Sequence, residues 1–291
     1  MQNGPENRPA FSLMTYNIFL GGAGRMDAIT SVVEEINPDL LGIQEADNEQ
    51  AIAQLADRLH MDYVYGPANT AHHVAFLSRF PVIHSANHPH PGILRKTMLE
   101  AHVQLPGNGE LVLYVVHLNA TATPGGERWR VREMEAILGS IAPRAATPHL
   151  LFGDCNAIAP GDNVVVERLT AHITNRVTGA DLGYVRRQRS LTFGALVDRG
   201  IKRGLLAPEM VMPSYVVPHV LEAGYIDCFR HLHSAEPGYS FPAPNPAVRL
   251  DYIFAPPIMQ QRLLSCEVVD LPAARTASDH RPLVARFALA E

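Results

Sequence analysis

The feature that most restricts the fold is a series of short apolar runs, most of which are followed by an acid, an amide or a histidine. Apolar runs of this length, bounded by polar residues, are typical of buried β-strands. Polar side chains at the ends of such strands can converge on one pocket, even when the strands are far apart in the chain. The four clearest runs are residues 11–14, 40–43, 111–116 and 149–152.

Helical patterns separate several of these strands. Residues 25–36 carry apolar side chains at helical spacing, and the pattern stops before Asn37 and Pro38, which is typical of a helix end. Residues 48–59 show a second amphipathic pattern, and a longer helix is predicted for residues 124–141.

Hairpins are the second recurring element. Pro106-Gly107-Asn108-Gly109 is a strong turn signal between the predicted strands 97–105 and 110–118. Residues 74–77 and 81–84 are likewise predicted to pair with each other. Three late strands are predicted at 249–254, 263–270 and 282–289. Hairpins mixed with helices predict an α/β fold in which two mostly antiparallel central sheets pack face to face, with helices outside.

The composition is that of a large globular protein. The chain has 291 residues, of which 47% are hydrophobic and 18% charged, so it can bury a sizeable core. Its net charge of −5 provides no global positive field for nucleic acid, without excluding a local basic track. Three cysteines without metal-ligand spacing are typical of reduced thiols.

We expect a cytoplasmic protein, because the polar N-terminus has no apolar signal segment and no apolar run reaches the ~20 residues that span a bilayer. Secretion of a processed form is not excluded. The expected organisation is a flexible N-terminus, residues 1–10, and a single domain, residues 11–291. An insertion at about 160–220 is expected to act as a lid or specificity element. The sequence does not indicate an oligomeric state, either monomeric or multimeric.

The predicted insertion contains a basic segment. Residues 176–203 hold seven basic and two acidic side chains, a local charge of +5. This segment either contacts a polyanion or an anionic lipid surface, or forms a solvated helix face.

Six polar motifs carry the chemistry, and it is their number and order that are specific, because each alone is common. Carboxylates, amides and imidazoles in this combination suit a hard divalent metal ion and a phosphate ester. The motifs are Thr15-Tyr16-Asn17-Ile18, Gln44-Glu45, Val116-His117-Leu118-Asn119, Gly153-Asp154-Cys155-Asn156, Leu250-Asp251-Tyr252 and Ser278-Asp279-His280-Arg281-Pro282-Leu283.

With these motifs in this order, the chain resembles the endonuclease/exonuclease/phosphatase superfamily. That group is related to deoxyribonuclease I, AP endonucleases, neutral sphingomyelinases and inositol-polyphosphate 5-phosphatases. The resemblance runs from Thr15 to Leu283 and includes the flanking segments 74–81, 125–128 and 224–227. It implies a four-layer α/β sandwich and a metal-dependent phosphoric ester hydrolase that uses Mg²⁺, with Mn²⁺ as a substitute.

The resemblance also implies residue roles. Glu45 is the principal Mg²⁺ ligand, and Asn17 and Asp279 complete the metal environment. Asp154 resembles the acid that activates water or lies beside the metal. Asn156 donates to a phosphoryl oxygen.

The two histidines of these motifs are candidates for acid–base catalysis and for stabilising the phosphoryl group. Asp251 is expected to orient His280 by accepting its ring N–H. His117 resembles the histidine of the branch nearer deoxyribonuclease I and the sphingomyelinases. Asn119 is expected to face the same pocket and, with His117 and Asn156, to bind substrate.

The predicted function is Mg²⁺-dependent hydrolysis of a phosphoester by metal-activated water, with a small-molecule or lipid-like substrate. Two alternatives remain open: a DNA endonuclease or exonuclease of the same superfamily, and a non-catalytic binding module on the same fold. The acidic balance of the chain favours a small substrate over long duplex DNA. The intact set of Glu45, Asp154, Asp251 and His280 argues against a binding module.

Three further histidines, His84, His88 and His90, resemble a metal cluster by their number. Their irregular spacing among prolines predicts instead an exposed loop.

Overall fold

The computed structural model of the protein describes residues 9–107, 109–178 and 214–290, with side chains at all of them except 173–178. Within these residues, twelve strands form two sheets of six strands each. The first sheet contains β1 (Ala10–Asn17), β2 (Leu40–Gln44), β3 (Asp62–Gly66), β4 (Val74–Ser78), β11 (Leu263–Val268) and β12 (Leu283–Ala288). The second contains β5 (Val82–His88), β6 (Met98–Gln104), β7 (Glu110–His117), β8 (His149–Asp154), β9 (Ile226–Asp227) and β10 (Asp251–Ala255).

Each sheet is mixed and has one parallel pair near its centre. The first sheet has the order β11-β12-β1-β2-β4-β3, and β1 runs parallel to β2. The second has the order β5-β6-β7-β8-β10-β9, and β7 runs parallel to β8. The other described pairs are antiparallel. Parallel neighbours end at the same edge of a sheet, so the polar residues that end these four strands lie side by side.

The two sheets pack face to face around a shared apolar core, which includes Leu13, Phe76 and Leu113. Gly42 on β2 marks a close approach, because a Cβ atom there would lie 2.2 Å from Phe152 Cε2 of the opposite sheet. Separate apolar clusters fill the space between each outer sheet face and its helices. The predicted four-layer α/β sandwich is therefore confirmed.

The three long predicted helices are present as α1 (Met26–Ile36), α2 (Glu49–Leu59) and α3 (Pro124–Ile141). The start of α3 is fixed by Thr123, whose Oγ1 accepts the Gly126 N–H at 3.0 Å, and by a proline at the first helical position. A fourth helix, α4 (Val166–Thr178), follows β8. The remaining described helices are Val216–Glu222, Cys228–Leu232, Pro257–Gln260 and Ala274–Ala277, with 3₁₀ turns at Leu20–Gly22 and Ala142–Arg144.

The prediction that residues 74–77 pair with residues 81–84 is wrong. β4 pairs with β2 and β3 in the first sheet, whereas β5 begins the second sheet and pairs with β6. The connection therefore crosses between sheets. Arg79 holds it in place, because its guanidinium donates to the carbonyl oxygens of Pro38 at 3.2 Å and Leu59 at 3.0 Å.

Two predicted segments lie wholly or partly outside the described residues. They are the flexible N-terminus, of which residues 1–8 are not described, and the insertion, of which residues 179–213 are not described. The proposed lid and most of the basic segment 176–203 belong to the second of these. In the described part of the chain, we find no helix with the length and apolar character needed to cross a bilayer.

Candidate active site

Polar residues from both sheets meet where β1, β2, β7 and β8 end. In the first sheet, Asn17 ends β1 beside the last residue of β2, and Glu45 follows directly. In the second sheet, Asp154 on β8 lies between His117 of β7 and Asp251 of β10 in the strand register. The topology alone therefore brings an amide, an imidazole and three carboxylates together.

Asn17 connects the two sheets at this edge. Its Nδ2 donates to Glu45 Oε1 at 3.3 Å and to Asp154 Oδ2 at 3.0 Å. Its Oδ1 accepts the N–H of Phe19 at 3.0 Å, which fixes the orientation of the amide. The two carboxylates that the sequence predicts as metal ligand and water activator thus share one amide group.

Glu45 has an unusual backbone conformation, with φ of 56°. Few non-glycine residues outside helix ends adopt the left-handed region, and residues held there cluster at functional sites. The conformation turns the side chain back towards the Leu20–Gly22 turn, where Oε2 accepts the Leu20 N–H at 2.7 Å. The carboxylate is therefore held in one orientation.

Asp154 lies at the centre of the site and is fully buried. Its Oδ2 is 3.5 Å from His117 Nε2 and 3.8 Å from His280 Nε2, and its Oδ1 accepts the Asn156 N–H at 2.8 Å. Burial raises the pKa of Asp154 to about 6, with His280 opposing the shift and Asp251 adding to it. This carboxylate is poised to accept a proton near neutral pH.

His280 forms a buried pair with Asp251, in which Nδ1 lies 2.8 Å from Asp251 Oδ2. Ser278 Oγ donates to the carbonyl oxygen of Asn17 at 2.6 Å and ties this segment to β1. Burial by itself would lower the pKa of His280, but the charges of Asp251 and Asp154 outweigh burial and raise it to about 10. His280 therefore carries a positive charge at neutral pH and presents Nε2 to Asp154.

His117 is electrostatically the opposite of His280. It is buried, and its Nδ1 has no hydrogen-bond partner among the described residues. Burial, together with the positive charges of Lys96, His72 and His280, lowers the pKa of His117 well below its usual value. We conclude that His117 is a neutral imidazole in this environment.

Lys96 is a site residue that the sequence analysis missed. Its side chain is buried, and Nζ donates to the carbonyl oxygen of Leu118 at 2.6 Å. Burial lowers the pKa of Lys96 to about 8, against the opposing negative charges of Asp154, Glu45 and Glu133. A lysine just before a strand has no local pattern that would reveal this burial.

Asp47 and His72 were also missed, and both lie beside Glu45. His72 Nδ1 is 3.1 Å from Asp47 Oδ2 and 3.8 Å from Glu45 Oε2. The ligand atoms of Glu45, Asp47 and His72 all lie within 4.8 Å of one another, and the same holds for Asp154, Asp251 and His280. The two carboxylates and one imidazole of the first group, Glu45, Asp47 and His72, form a ligand set that fits a divalent cation.

The remaining predicted residues differ in their placement. Asn156 has φ of 48° and its Nδ2 donates to the Leu118 carbonyl oxygen at 3.2 Å, next to Asp154. Asp279 is half-buried between Ser278 and His280, and its charge adds to those that raise the pKa of His280.

Asn119 is used within its own loop. Its Oδ1 accepts from the backbone N–H and the hydroxyl of Thr121 at 3.3 and 3.1 Å, and its backbone N–H donates to Glu133. The Oδ1 of Asn119 is therefore engaged within its own loop.

The fold and the site together define a class of protein: an α/β sandwich whose strand ends hold acids and imidazoles suited to phosphoester chemistry. The sequence profile of the Endonuclease/Exonuclease/phosphatase family matches residues 14–280. The chain therefore belongs to this family of phosphoester hydrolases, which confirms the resemblance found from the motifs.

Solved structures share this fold over nearly the whole chain. An AP endonuclease from Archaeoglobus fulgidus is 17% identical, with a TM-score of 0.66 over 96% of this chain and 100% of that one. The 3′ phosphatase NExo from Neisseria, bound to a product DNA hairpin, is 18% identical, with a TM-score of 0.64 over 96% and 100%. Truncated TDP2 from Caenorhabditis elegans is 16% identical, with a TM-score of 0.60 over 96% and 98%. Among curated proteins, none matches significantly.

Proposed function

We propose that this protein hydrolyses phosphoester bonds by attack of water on phosphorus, assisted by a divalent metal ion. The observation that carries the proposal is the environment of Asp154. Its Oδ2 lies 3.0 Å from the amide of Asn17 and 3.5 Å from His117 Nε2, and Asn17 also contacts Glu45. A buried base, hydrogen-bond donors and a carboxylate for a cation are thus assembled at one point.

Asp154 is assigned to orienting and deprotonating the attacking water. A general base works best when its pKa lies near the pH of the reaction, and the pKa of Asp154 is raised to about 6. It remains ionised at neutral pH and takes up the proton that water loses. The hydrogen bonds from Asn17 and the Asn156 N–H hold its two oxygens in place.

His280 and His117 are assigned to the phosphoryl oxygens. His280 is positively charged because its pKa is raised to about 10, so it stabilises the negative charge that develops in the transition state. Asp251 fixes its tautomer and orientation. His117 contributes a neutral hydrogen bond. Asn156 and Asn119 remain predicted substrate-binding residues.

Glu45 would be the main ligand of the metal ion. Asn17 and Asp279 are the predicted neighbours, and Asp47 and His72 lie beside Glu45. A divalent cation held there would supply positive charge to a non-bridging phosphoryl oxygen of the substrate. The oxygen ligands suit Mg²⁺. The imidazole of His72 makes Mn²⁺ a good substitute.

The first substrate class that we propose is a small or lipid-like phosphodiester, because the chain has a net charge of −5. DNA is the second candidate. It is favoured by the fold shared with an AP endonuclease and with a 3′ phosphatase bound to a DNA hairpin. The exposed Arg95, whose guanidinium lies 4.3 Å from the ring centroid of Trp129, adds a cation next to Lys96 on this side of the molecule.

A substrate panel separates these candidates. Initial rates are measured with excess Mg²⁺ on bis-(p-nitrophenyl) phosphate, sphingomyelin vesicles, a duplex with an abasic site and an oligonucleotide with a 3′ phosphate. Asp154→Asn is the matched control, because it keeps the shape of the side chain and removes the base. Higher activity on the small or lipid esters supports the first class, and activity confined to DNA moves the assignment to the second. If none of these substrates is hydrolysed in a way that depends on Asp154, the non-catalytic binding module is the remaining alternative.

A further inference from the structure

Histidines gather on the second sheet, outside the candidate active site. We propose that three residues there, His84, Glu100 and His102, bind zinc or a similar divalent transition metal, and we call them the outer histidine site. The inference is independent of the proposed hydrolase function. The expectation of a loop is wrong for His84 and His88, which lie on β5, whereas the expected exposure is confirmed for His84.

Strand alternation places the site on one face of the sheet. On β6, Leu99 and Ala101 contribute to the core between the two sheets. Glu100 and His102 alternate with them and therefore point to the opposite face, towards α3. In the register of β5 and β6, His84 lies directly opposite His102. The site therefore joins an edge strand to its only sheet neighbour in the described structure.

The three side chains have the spacing of a metal site. One ligand atom from each of His84, Glu100 and His102 lies within 4.8 Å of the other two. The rings of His84 and His102 meet edge to face at 4.9 Å between centroids. His88 extends the group, because its Nε2 lies 2.8 Å from the second carboxylate oxygen of Glu100. Two imidazoles and one carboxylate are a common ligand set for zinc with an open fourth position.

A carboxylate behind His102 supports this assignment. The carboxylate is that of Glu110, whose Oε1 lies 2.6 Å from His102 Nδ1. The other ring nitrogen, His102 Nε2, lies 2.6 Å from Glu100 Oε1. Metal-bound histidines generally donate their second ring N–H to such a carboxylate, which fixes the tautomer that leaves the other nitrogen for the metal. With Nδ1–H directed at Glu110, His102 Nε2 is left to bind a metal together with Glu100.

The local charge also favours a cation. Glu100 and Glu110 provide two carboxylates, and the arginine beside them is Arg144, whose Nε is 3.4 Å from Glu100 Oε1. Both Arg144 and Glu110 are about half exposed, so Arg144 is free to turn towards solvent when a metal binds. Nitrogen ligands select zinc and its neighbours over magnesium, which prefers oxygen. The site is therefore distinct from the predicted Mg²⁺ site in chemistry as well as in position.

Isothermal titration calorimetry of the full chain with zinc chloride tests the proposal. All proteins carry Glu45→Gln and are kept in excess Mg²⁺, so that the predicted active-site metal contributes little. His84→Ala is the main variant, because His84 is exposed and its removal leaves the core intact. Glu110→Gln tests the supporting carboxylate. His231→Ala, at an exposed histidine, is the matched control.

We expect one zinc equivalent whose affinity falls at least tenfold in His84→Ala and about 10–100-fold in Glu110→Gln. His231→Ala should bind as its parent does. Equal zinc affinity in His84→Ala and the parent, or zinc binding with no effect of Glu110→Gln, would overturn the site and leave these residues as an ion-pair network. Neither result bears on phosphoester hydrolysis.

Discussion

Replacing Asp251 with asparagine should destabilise the protein strongly at pH 6 and much less at pH 10. Asp251 Oδ2 lies 2.8 Å from His280 Nδ1, and both side chains are buried. The pKa of His280 is raised from 6.5 to about 10. At ~1.4 kcal/mol for each unit of pKa, this corresponds to about 5 kcal/mol, shared between Asp251 and Asp154. Removing one partner of a buried ion pair costs about 3–5 kcal/mol, which agrees with this figure.

The pH dependence follows from the direction of the shift. Because the pKa of His280 is higher in the folded protein than in the unfolded chain, the stabilisation is fully present below pH 6.5. It is lost as the pH rises from 6.5 to about 10, where the folded protein also releases the proton. We expect Asp251→Asn to lower the free energy of unfolding by about 3–5 kcal/mol at pH 6, and by a much smaller amount at pH 10.

Urea unfolding of the wild type and the variant at pH 6, 8 and 10, with EDTA present, measures this difference. Glu34→Gln is the control, because Glu34 pairs with Arg58 on the surface at 2.9 Å. Arginine keeps its charge over this range, so the control should cost less than ~1 kcal/mol and show little dependence on pH. An Asp251→Asn penalty that is the same at all three pH values would refute the reasoning.

Three further predictions follow from individual contacts. Turnover should fall as the pH rises through about 8, because Lys96 then loses the positive charge that it holds near Asp154 and Glu45. Lys96→Arg should shift this fall in the pH–rate profile to higher pH, and an unchanged profile would show that the charge of Lys96 does not control turnover. Gly153→Ala should lower the free energy of unfolding by about 2–5 kcal/mol, because its Cβ would lie 1.9 Å from the Val116 carbonyl oxygen at φ of 141°. In the same urea assay, Gly139→Ala, with open space around it in α3, should be neutral or stabilising by up to ~1 kcal/mol. His72→Ala should weaken Mn²⁺ binding more than Mg²⁺ binding in calorimetry, because an imidazole favours transition metals, and equal losses would remove His72 from the metal site.

Local patterns were sufficient for much of the fold. The helix predicted for 124–141 has these bounds in the structure, because proline at its start and a helical apolar spacing are both visible in the sequence. The 97–105 and 110–118 hairpin is confirmed as β6 and β7. The pairing of 74–77 with 81–84 failed because a short turn between two strands looks the same whether the chain folds back or crosses to another sheet.

The predicted site residues are mostly side by side because strand ends converge, and strand ends are readable from the sequence. Lys96 was not predicted, because only tertiary packing buries its side chain. Asp47 was not predicted, because only the turn after β2 directs its side chain towards the site. His102 escaped for a related reason. It lies within β6, and its position opposite His84 is set by strand register, which the sequence does not display.

The most direct test of the central claim is the rate of bis-(p-nitrophenyl) phosphate hydrolysis before and after EDTA, and again after Mg²⁺ or Mn²⁺ is restored. Asp154→Asn, prepared identically, corrects for contaminating phosphoesterases. We predict that EDTA abolishes the wild-type rate, that the added metal restores it, and that Asp154→Asn remains inactive throughout. A wild-type rate that persists unchanged in EDTA, or one that Asp154→Asn retains in full, would contradict a metal-assisted hydrolase built on Glu45 and Asp154.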